Sequence, residues 1–202
     1  INKNIKDRYV KINKLASQML YRLYEGDGKA VYLIGVRDNG ISIGINTEEL
    51  FETLNIIDEV SKINPRIVYG SISGFGSTVF GESPYKDWPS YDVVAQAMGG
   101  LISLTGYDEK TPLKVGPGIA DIFSGSLLSF GLLASILKSK ATGKGQFVEV
   151  AMYDAIVSMC ERAIYQYDFN GIIPKPEGNG HPLLAPFGIY KAKDGFVAIG
   201  IV

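Results

Sequence analysis

The chain has 202 residues, of which 46% are hydrophobic and 20% charged, a balance typical of a folded globular protein and unlike that of a disordered one. Its formal net charge of −1 gives no indication of a nucleic-acid partner. The single cysteine, Cys160, excludes an internal disulfide, and the single histidine, His181, leaves almost no material for a zinc site or a Ser-His-Asp triad. We therefore expect a cytoplasmic protein without a metal ion, in which Cys160 is a buried structural thiol.

The most apolar stretch covers residues 119–137, but Asp121 and several serines and glycines interrupt it. For that reason we expect no membrane span. The chain begins at Ile1 rather than Met and stops at Val202 within an apolar run, so we expect a processed or partial chain.

The N-terminal part predicts a helix followed by a hairpin. Apolar residues at helical spacing indicate an amphipathic helix over residues 8–25, which Gly26 ends. Two β-rich runs flank Asn39-Gly40, a pair that favours the type I′ turn of a hairpin. Thr47 has the character of an N-cap for a further short helix.

Strands and helices alternate over the rest of the chain. We predict strands at 67–72 and 146–151, helices at 91–104, 117–140 and 152–167, a loop at 171–186 and a hairpin over 188–199. The Gly-, Ser- and Pro-rich residues 73–90 read as one long surface loop, and its four aromatics favour an ordered, packed conformation. Alternating elements indicate an α/β fold, and the hairpins show that its sheet is not purely parallel.

Asp121 is the most informative titratable residue, because it falls near the start of an apolar helix after Pro117-Gly118. Spacing alone favours a helix-start carboxylate that accepts free backbone N–H groups. The alternative is a nucleophile held against apolar surroundings. Both interpretations can hold together, since free N–H groups nearby could also stabilise an oxyanion.

The glycines in the middle of the chain also allow two interpretations. Several lie around the helices before and after residue 110, where they permit either close helix packing or the approach of a bulky ligand. None forms a GxGxxG or P-loop motif, so phosphate cradles of those types are not supported. The polar residues 177–182 are either a simple turn or a mobile lid.

Short motifs follow one another with the order and spacing of a known family. They are Asn64-Pro65-Arg66-Ile67-Val68-Tyr69, Ser73-Gly74-Phe75-Gly76, Ser90-Tyr91-Asp92 with Gln96-Ala97 and Gly99-Gly100, Ala120-Asp121 with Gly125, Thr142-Gly143-Lys144-Gly145-Gln146, and Gly178-Asn179-Gly180-His181-Pro182. This series resembles the class III CoA-transferases, the CaiB/BaiF family, over roughly residues 48–202.

The resemblance implies a CoA-transferase family III-like α/β fold, in which part of a Rossmann-like large domain leads into a partial small domain. We accordingly expect an unmatched segment at residues 1–47, a large-domain portion at 48–170, and a linker with a glycine loop and the start of the small domain at 171–202. Family members are interlocked homodimers and some enzymes are heteromers, so we expect a homodimer or a heteromer. No nucleic-acid or membrane partner is expected.

The resemblance also implies an enzyme that moves CoA from an acyl-CoA donor to a carboxylic acid acceptor. In the family, the aspartate that matches Asp121 attacks the thioester, and aspartyl anhydride and aspartyl-CoA thioester intermediates follow. Such covalent catalysis divides one difficult exchange into easier steps. Coenzyme A is then a substrate, as its thioester, and no cofactor is expected. The implied CoA- and substrate-binding residues are Tyr91, Phe75, Gly76, Gly178, Asn179, Gly180 and His181.

Other functions stay open. The family includes 2-methylacyl-CoA racemases, but those carry a histidine at the position of Tyr91. A CoA-transferring isomerase would keep the aspartate. A truncated, non-catalytic subunit is the third possibility, because residues 1–47 do not resemble the N-terminal half of the family, and Thr53 stands where a basic residue is common.

Overall fold

The structure is a computed structural model, which describes residues 10, 14, 17–19, 21, 22, 24–26, 55–60, 62 and 64–201. The described positions between 10 and 25 are helical, and the Gly26 N–H donates to the carbonyl oxygen of Arg22 at 2.9 Å, as the sequence predicts. The hairpin predicted around Asn39-Gly40 and the N-cap predicted at Thr47 lie outside the described residues.

Between residues 64 and 201 the mixed α/β structure contains nine elements. They are β1 (Val68–Ser73), α1 (Asp92–Met98), α2 (Leu101–Leu104), α3 (Ile119–Thr142), β2 (Gln146–Ala151), α4 (Met152–Met159), α5 (Glu161–Asn170), β3 (Phe187–Lys191) and β4 (Phe196–Gly200). Strands β1 and β2 form one two-stranded sheet, and β3 and β4 form another. The second is antiparallel, with Phe187 opposite Gly200 and Lys191 opposite Phe196, which confirms the predicted hairpin.

The chain divides into two compact units. The first contains Ile1–Tyr69 and Leu132–Phe147. Within it, the rings of Tyr69 and Phe147 stack with centroids 5.1 Å apart, and the Gly145 N–H donates to the carbonyl oxygen of Pro65 at 2.7 Å. A side chain at Gly145 would overlap the carbonyl of Ile67, so the close approach of these two segments requires glycine there.

The second unit contains Gly70–Gly131 and Val148–Val202. Its core is a cluster of four buried residues from three helices, with Leu101 and Ile119 packed against it: Ala95, Ala120, Met152 and Ile156. Because these side chains are small or aliphatic, the helices approach closely, and the starts of α1 and α3 are brought together.

Two predicted helices are interrupted in the structure. The helix expected over 91–104 breaks at Gly99-Gly100, where Gly100 has a φ of +91° that continuing helix does not allow. The helix expected over 152–167 breaks at Cys160, whose backbone is outside the helical region (φ −93°, ψ 19°). Gly99, at the first break, lies against the fully buried Ile156, so this break occurs at a tertiary contact.

Residues 74–91 contain no regular element, as predicted, and their aromatic rings pack together. The Phe75 ring lies 5.6 Å from that of Tyr85, and the Tyr85 ring lies 4.9 Å from that of Trp88. Two serine hydroxyls from this part of the chain, on Ser73 and Ser77, donate to the two oxygens of Glu149 at 3.2 and 2.8 Å. The loop is therefore ordered by contacts with β2.

Helix α3 has 24 residues and is long and apolar enough to cross a membrane by length and composition. Core helices of soluble proteins satisfy the same criterion, so one such helix is weak support for a span. Several of its apolar side chains are exposed within this chain, among them Phe130 and Leu137. The absence of a membrane partner stays a prediction.

The contact between Gly99 and Ile156 offers a test of this packing. A Cβ added at Gly99 would lie 2.5 Å from Cγ2 of Ile156, which is fully buried. We expect Gly99→Ala to lower the free energy of unfolding by about 1–3 kcal/mol, because overpacked cores must shift backbone or rotamers. Urea denaturation measures the change. Gly125→Ala is the matched control, since a Cβ there meets nothing within 4 Å; equal destabilisation by both would contradict the interpretation.

Candidate active site

Asp121 is the third residue of α3, in the first turn of the helix. The N–H of the preceding residue, Ala120, has no partner within the helix and donates to Oδ1 of Asp92 at 2.8 Å. Asp92 is the first residue of α1, so a carboxylate from another helix caps α3. Among the residues that the structure describes, none donates a hydrogen bond to Asp121. The helix-start role that spacing favoured for Asp121 is taken by Asp92.

Asp92 is itself held at both carboxylate oxygens. Its Oδ2 accepts from Nε2 of Gln96, one turn later in α1, at 2.7 Å. The carboxamide of Gln96 continues to Val115, whose N–H donates to Oε1 of Gln96 at 2.9 Å. Gln96 is fully buried. A chain of hydrogen bonds thus connects the segment before α3, the first helix and the first turn of α3.

The environment disfavours the charged form of Asp121. Partial desolvation raises the pKa of its carboxyl group above the ordinary value, and the negative charge of Asp92 raises it further. The side chain is nevertheless exposed to solvent. A carboxylate that is accessible, without a hydrogen-bond donor, and more basic than usual is suited to nucleophilic attack.

Two glycines leave room around this carboxylate. Gly118 lies next to both carboxylates: a Cβ there would be 3.4 Å from Oδ2 of Asp121 and 3.9 Å from Cγ of Asp92, which are ordinary van der Waals distances. A Cβ at Gly125, one turn further along α3, would meet nothing within 4 Å. The helix surface next to Asp121 is therefore open on this side of the described chain.

Tyr91 directly precedes Asp92 and is the N-cap residue of α1. Its side chain is 74% exposed, and its carbonyl oxygen accepts from the N–H groups of Val94 and Ala95. The bond between Asp92 and Ala120 joins the starts of α1 and α3, so Tyr91 and Asp121 belong to adjacent helix starts. An exposed aromatic ring at this place can contact a ligand.

Phe75 and Gly76 have an evident structural role. Phe75 is only 7% exposed and packs against the rings of Tyr85 and Tyr153. Gly76 has a φ of +85°, and its N–H donates to the Ser73 hydroxyl at 3.0 Å. The structure therefore explains both residues by packing and turn geometry, and their predicted contact with CoA stays a prediction.

The glycine loop, residues 177–181, is anchored on a turn 72 residues earlier in the chain. The Gly178 N–H donates to the Gly106 carbonyl oxygen at 2.8 Å, and the Asn179 Nδ2 donates to the Tyr107 hydroxyl at 3.1 Å. Gly178 has a φ of +60°, and a Cβ there would lie 2.7 Å from the Tyr107 ring. The loop conformation therefore depends on glycine at position 178 for two reasons.

Charged side chains add two further links to this loop region. Nζ of Lys175 lies 2.6 Å from a carboxylate oxygen of Glu109, on the same turn as Tyr107. Nη1 of Arg162, at the start of α5, lies 3.7 Å from Oε1 of Glu177. Both pairs include exposed side chains, so each contributes little stability, and together they add charged contacts on two sides of the loop.

His181 has a local role at the end of this loop. Its Nδ1 accepts the N–H groups of Leu183 and Leu184, both at 3.2 Å, and its ring lies 4.9 Å from that of Phe187. These two bonds occupy Nδ1 with backbone of the same segment.

Cys160 is buried, in agreement with the prediction of a structural thiol. Burial raises its thiol pKa, and the charge of Glu161 raises it further, so the reactive thiolate is disfavoured.

Sequence reasoning did not single out the residues that position Asp121 and the loop. Asp92 and Gln96 appeared only as members of a motif, although their spacing of four places both on one helix face. Tyr107 and Glu109 carried no recognisable signal, because their partners lie about 70 residues away.

The sequence model of CoA-transferase family III matches residues 50–202. The chain belongs to this family. The match confirms the resemblance, and its extent agrees with the region over which the motifs occur.

Curated relatives and solved structures agree with this assignment. The chain is 46% identical over 136 residues to a succinyl-CoA:mesaconate CoA-transferase of Haloarcula hispanica, covering 67% of this chain and 34% of that protein. It is 30% identical over 185 residues to an acetyl-CoA:oxalate CoA-transferase of Acetobacter aceti, covering 91% of this chain and 46% of that protein. The chain therefore spans between a third and a half of the length of these relatives.

The fold is likewise similar to that of a CaiB/BaiF family protein from Brucella suis. The TM-score is 0.62 at 34% sequence identity, and the comparison covers 69% of this chain and 36% of that structure. The family III fold is thus confirmed for this chain, together with its mixed α/β character.

The anchoring of the glycine loop can be measured without a substrate. Tyr107→Phe removes the hydroxyl that accepts from Asn179, a bond with a net value of about 0.5–1.5 kcal/mol. We expect hydrogen exchange at the amide of Gly178 to become about 2- to 10-fold faster, because local opening becomes less costly. Tyr167→Phe in the exposed part of α5 is the control. Unchanged exchange in Tyr107→Phe would rule out the hydroxyl as an anchor.

Proposed function

We propose that this chain is part of a CoA-transferase that moves CoA from an acyl-CoA donor to a carboxylic acid, with Asp121 as the nucleophile. One observation carries the proposal: the Asp121 carboxylate is accessible and makes no hydrogen bond to any described residue, although it stands in a helix turn where carboxylates normally cap. Family membership supports the same reaction class.

The proposed reaction begins with attack of an Asp121 carboxylate oxygen on the thioester carbonyl. The C–S bond breaks, so that CoA leaves as thiolate and a mixed anhydride forms between Asp121 and the donor acyl group. The thiolate then attacks the aspartyl carbonyl, which releases the donor carboxylate and forms an aspartyl-CoA thioester. The acceptor carboxylate attacks this thioester, and the thiolate returns to the acceptor carbonyl of the second anhydride, which frees Asp121.

The surroundings of Asp121 suit these steps. Its raised pKa makes the carboxylate a better nucleophile towards the thioester than an ordinary aspartate. Because anhydrides and thioesters are destroyed by water, we assign to the glycine loop of Gly178 to Gly180 the exclusion of water from the intermediates. Tyr91, with its exposed ring, is proposed to contact the acyl group.

The names of the relatives suggest the class of substrate. Three carry dicarboxylic acids in their names: succinyl-CoA and mesaconate, oxalate with acetyl-CoA, and succinate with glutarate. A fourth is named for L-carnitine. We therefore propose short dicarboxylic acids as acceptors, with succinyl-CoA as the first donor to test. The whole protein is proposed to act in the cytoplasm as a homodimer or a heteromer, with a Rossmann-like large domain.

The racemase alternative has less support. It needs a second proton-transferring group beside Asp121, and the histidine typical of that position is replaced by Tyr91. His181, the remaining candidate, accepts two backbone N–H groups and packs against Phe187. An isomerase would use the same aspartyl intermediates. A non-catalytic subunit would bind no acyl-CoA.

Covalent trapping tests the proposal. We expect incubation with succinyl-CoA, followed by hydroxylamine or borohydride, to modify Asp121, because both reagents intercept an aspartyl thioester; peptide mass spectrometry locates the product. Asp121→Asn should abolish the adduct, whereas Asp168→Asn, an exposed position on α5, should not. The absence of any adduct on Asp121 in protein that binds CoA would falsify the proposal.

The pH dependence of the trapped adduct tests the electrostatics. Since the pKa of Asp121 is raised, the single-turnover rate should decline with falling pH at a midpoint above that of an ordinary aspartate. Asp92→Asn removes the second cause of the shift, so the midpoint should move to lower pH. A midpoint that stays in place or moves upward would contradict the role of the Asp92 charge.

A further inference from the structure

Gln96 is the largest polar side chain that is fully buried in the described part of the chain. It lies on α1 beside Ala95, which belongs to the aliphatic core, so its amide must find partners within the protein. It has three: Nε2 donates to Oδ2 of Asp92 at 2.7 Å and to the Val115 carbonyl at 3.5 Å, and Oε1 accepts from the Val115 N–H at 2.9 Å.

These contacts determine the orientation of the Asp92 carboxylate. One oxygen of its carboxylate accepts from Ala120 and the other from Gln96, so two bonds fix the orientation of the group. Without Gln96, the Asp92 carboxylate keeps only the bond from Ala120, so it can rotate and leave the start of α3. The Ala120 N–H would then lack its partner, and the Asp121 carboxylate, in the same first turn, would be available to cap the helix.

We propose that Gln96 is a positioning residue for CoA transfer, because its carboxamide holds Asp92 on the first turn of α3 and so leaves the Asp121 carboxylate unoccupied. This inference rests on the proposed function. Gln96 acts only through Asp92 and the backbone at Val115.

The chemistry of the contacts suits an amide at this position. The Asp92 carboxylate accepts from a donor and the Val115 N–H needs an acceptor, and the carboxamide of Gln96 offers both from one side chain. A glutamate of the same size would set two carboxylates against each other, and a methionine would leave both partners unsatisfied in a buried place.

Gln96 also controls the segment that leads into α3. By binding both backbone groups of Val115, it helps to position the following residues, Gly116 to Gly118, which lead to the start of α3 at Ile119. A Cβ at Gly118 would lie within 4 Å of both Asp121 and Asp92, so a small shift of this segment changes the space around both carboxylates. The remaining charged group here is Lys114, whose Nζ donates to the carbonyls of Val115 and Gly116 at 3.5 and 3.2 Å.

The test compares two Gln96 variants with a core control in the full chain. For Gln96→Met and Gln96→Glu we expect the single-turnover rate of Asp121 adduct formation, per folded molecule, to fall by about 10- to 100-fold, as for a misplaced catalytic group. The Kd for succinyl-CoA should change by less than about 3-fold, because neither variant touches the proposed binding surface. Circular dichroism gives the folded fraction.

The pH profile separates positioning from simple destabilisation. Gln96→Glu adds a negative charge near Asp92 and Asp121, so the acid limb of the rate should move to higher pH, whereas Gln96→Met adds none. The control, Ile156→Val, is expected to lower the folding equilibrium constant by about 2- to 10-fold without changing the rate or the pH profile per folded molecule.

The outcomes distinguish the two proposals. If the unsubstituted chain binds CoA and forms no adduct, the proposed function fails. If the unsubstituted chain forms the adduct and the Gln96 variants form it at the same rate and with the same pH profile per folded molecule, the positioning role alone is overturned. Should Gln96→Met not fold, Gln96→Glu decides by the same measurements, because it preserves the size of the side chain.

Discussion

The hydrogen bond from the Ala120 N–H to the Asp92 carboxylate is the interaction on which the candidate site depends. It joins the first residue of one helix to the first turn of another, and it satisfies an amide that a helix start leaves free. Asp121, which follows directly, is thereby left without a capping role. The same carboxylate contributes negative charge that raises the pKa of Asp121. This contact thus leaves the proposed nucleophile available, and the charge of Asp92 adds to the rise in pKa that desolvation causes.

The packing of the helices beneath this contact also supports the site. Ala95 and Ala120 are fully buried and small, and Gly99 approaches Ile156 without a side chain between them. Small residues allow α1, α3 and α4 to lie close enough for Asp92 to reach Ala120. The glycine loop follows a comparable rule at a second place, where Gly178 fits against the ring of Tyr107. In both places a glycine lets two segments approach closely, and a hydrogen bond between polar groups then fixes their relative orientation.

Membership of CoA-transferase family III explains why these features occur together. The explanation applies to the part of the family's length that this chain covers. The chain spans between a third and a half of the curated relatives it matches. It includes the whole series of motifs around Asp121 and the glycine loop, so the local chemistry can be argued from its own residues. Substrate choice and assembly belong to the whole protein.

The sequence by itself was sufficient for the types of the elements between residues 64 and 201, for the family, and for the place of Asp121 near the start of a helix. Local signals were sufficient there: β-rich runs around Asp194-Gly195 specify a hairpin, and motifs in a set order identify a family. Tertiary structure alone decided that Asp92 caps α3, that the helices break at Gly99-Gly100 and Cys160, that Phe75 is buried, and that Tyr107 anchors the glycine loop. The reason is physical, because these outcomes depend on groups 28 to 72 residues apart or on packing against a shared core. Local residue patterns predict neither which distant groups come into contact nor which side chains become buried.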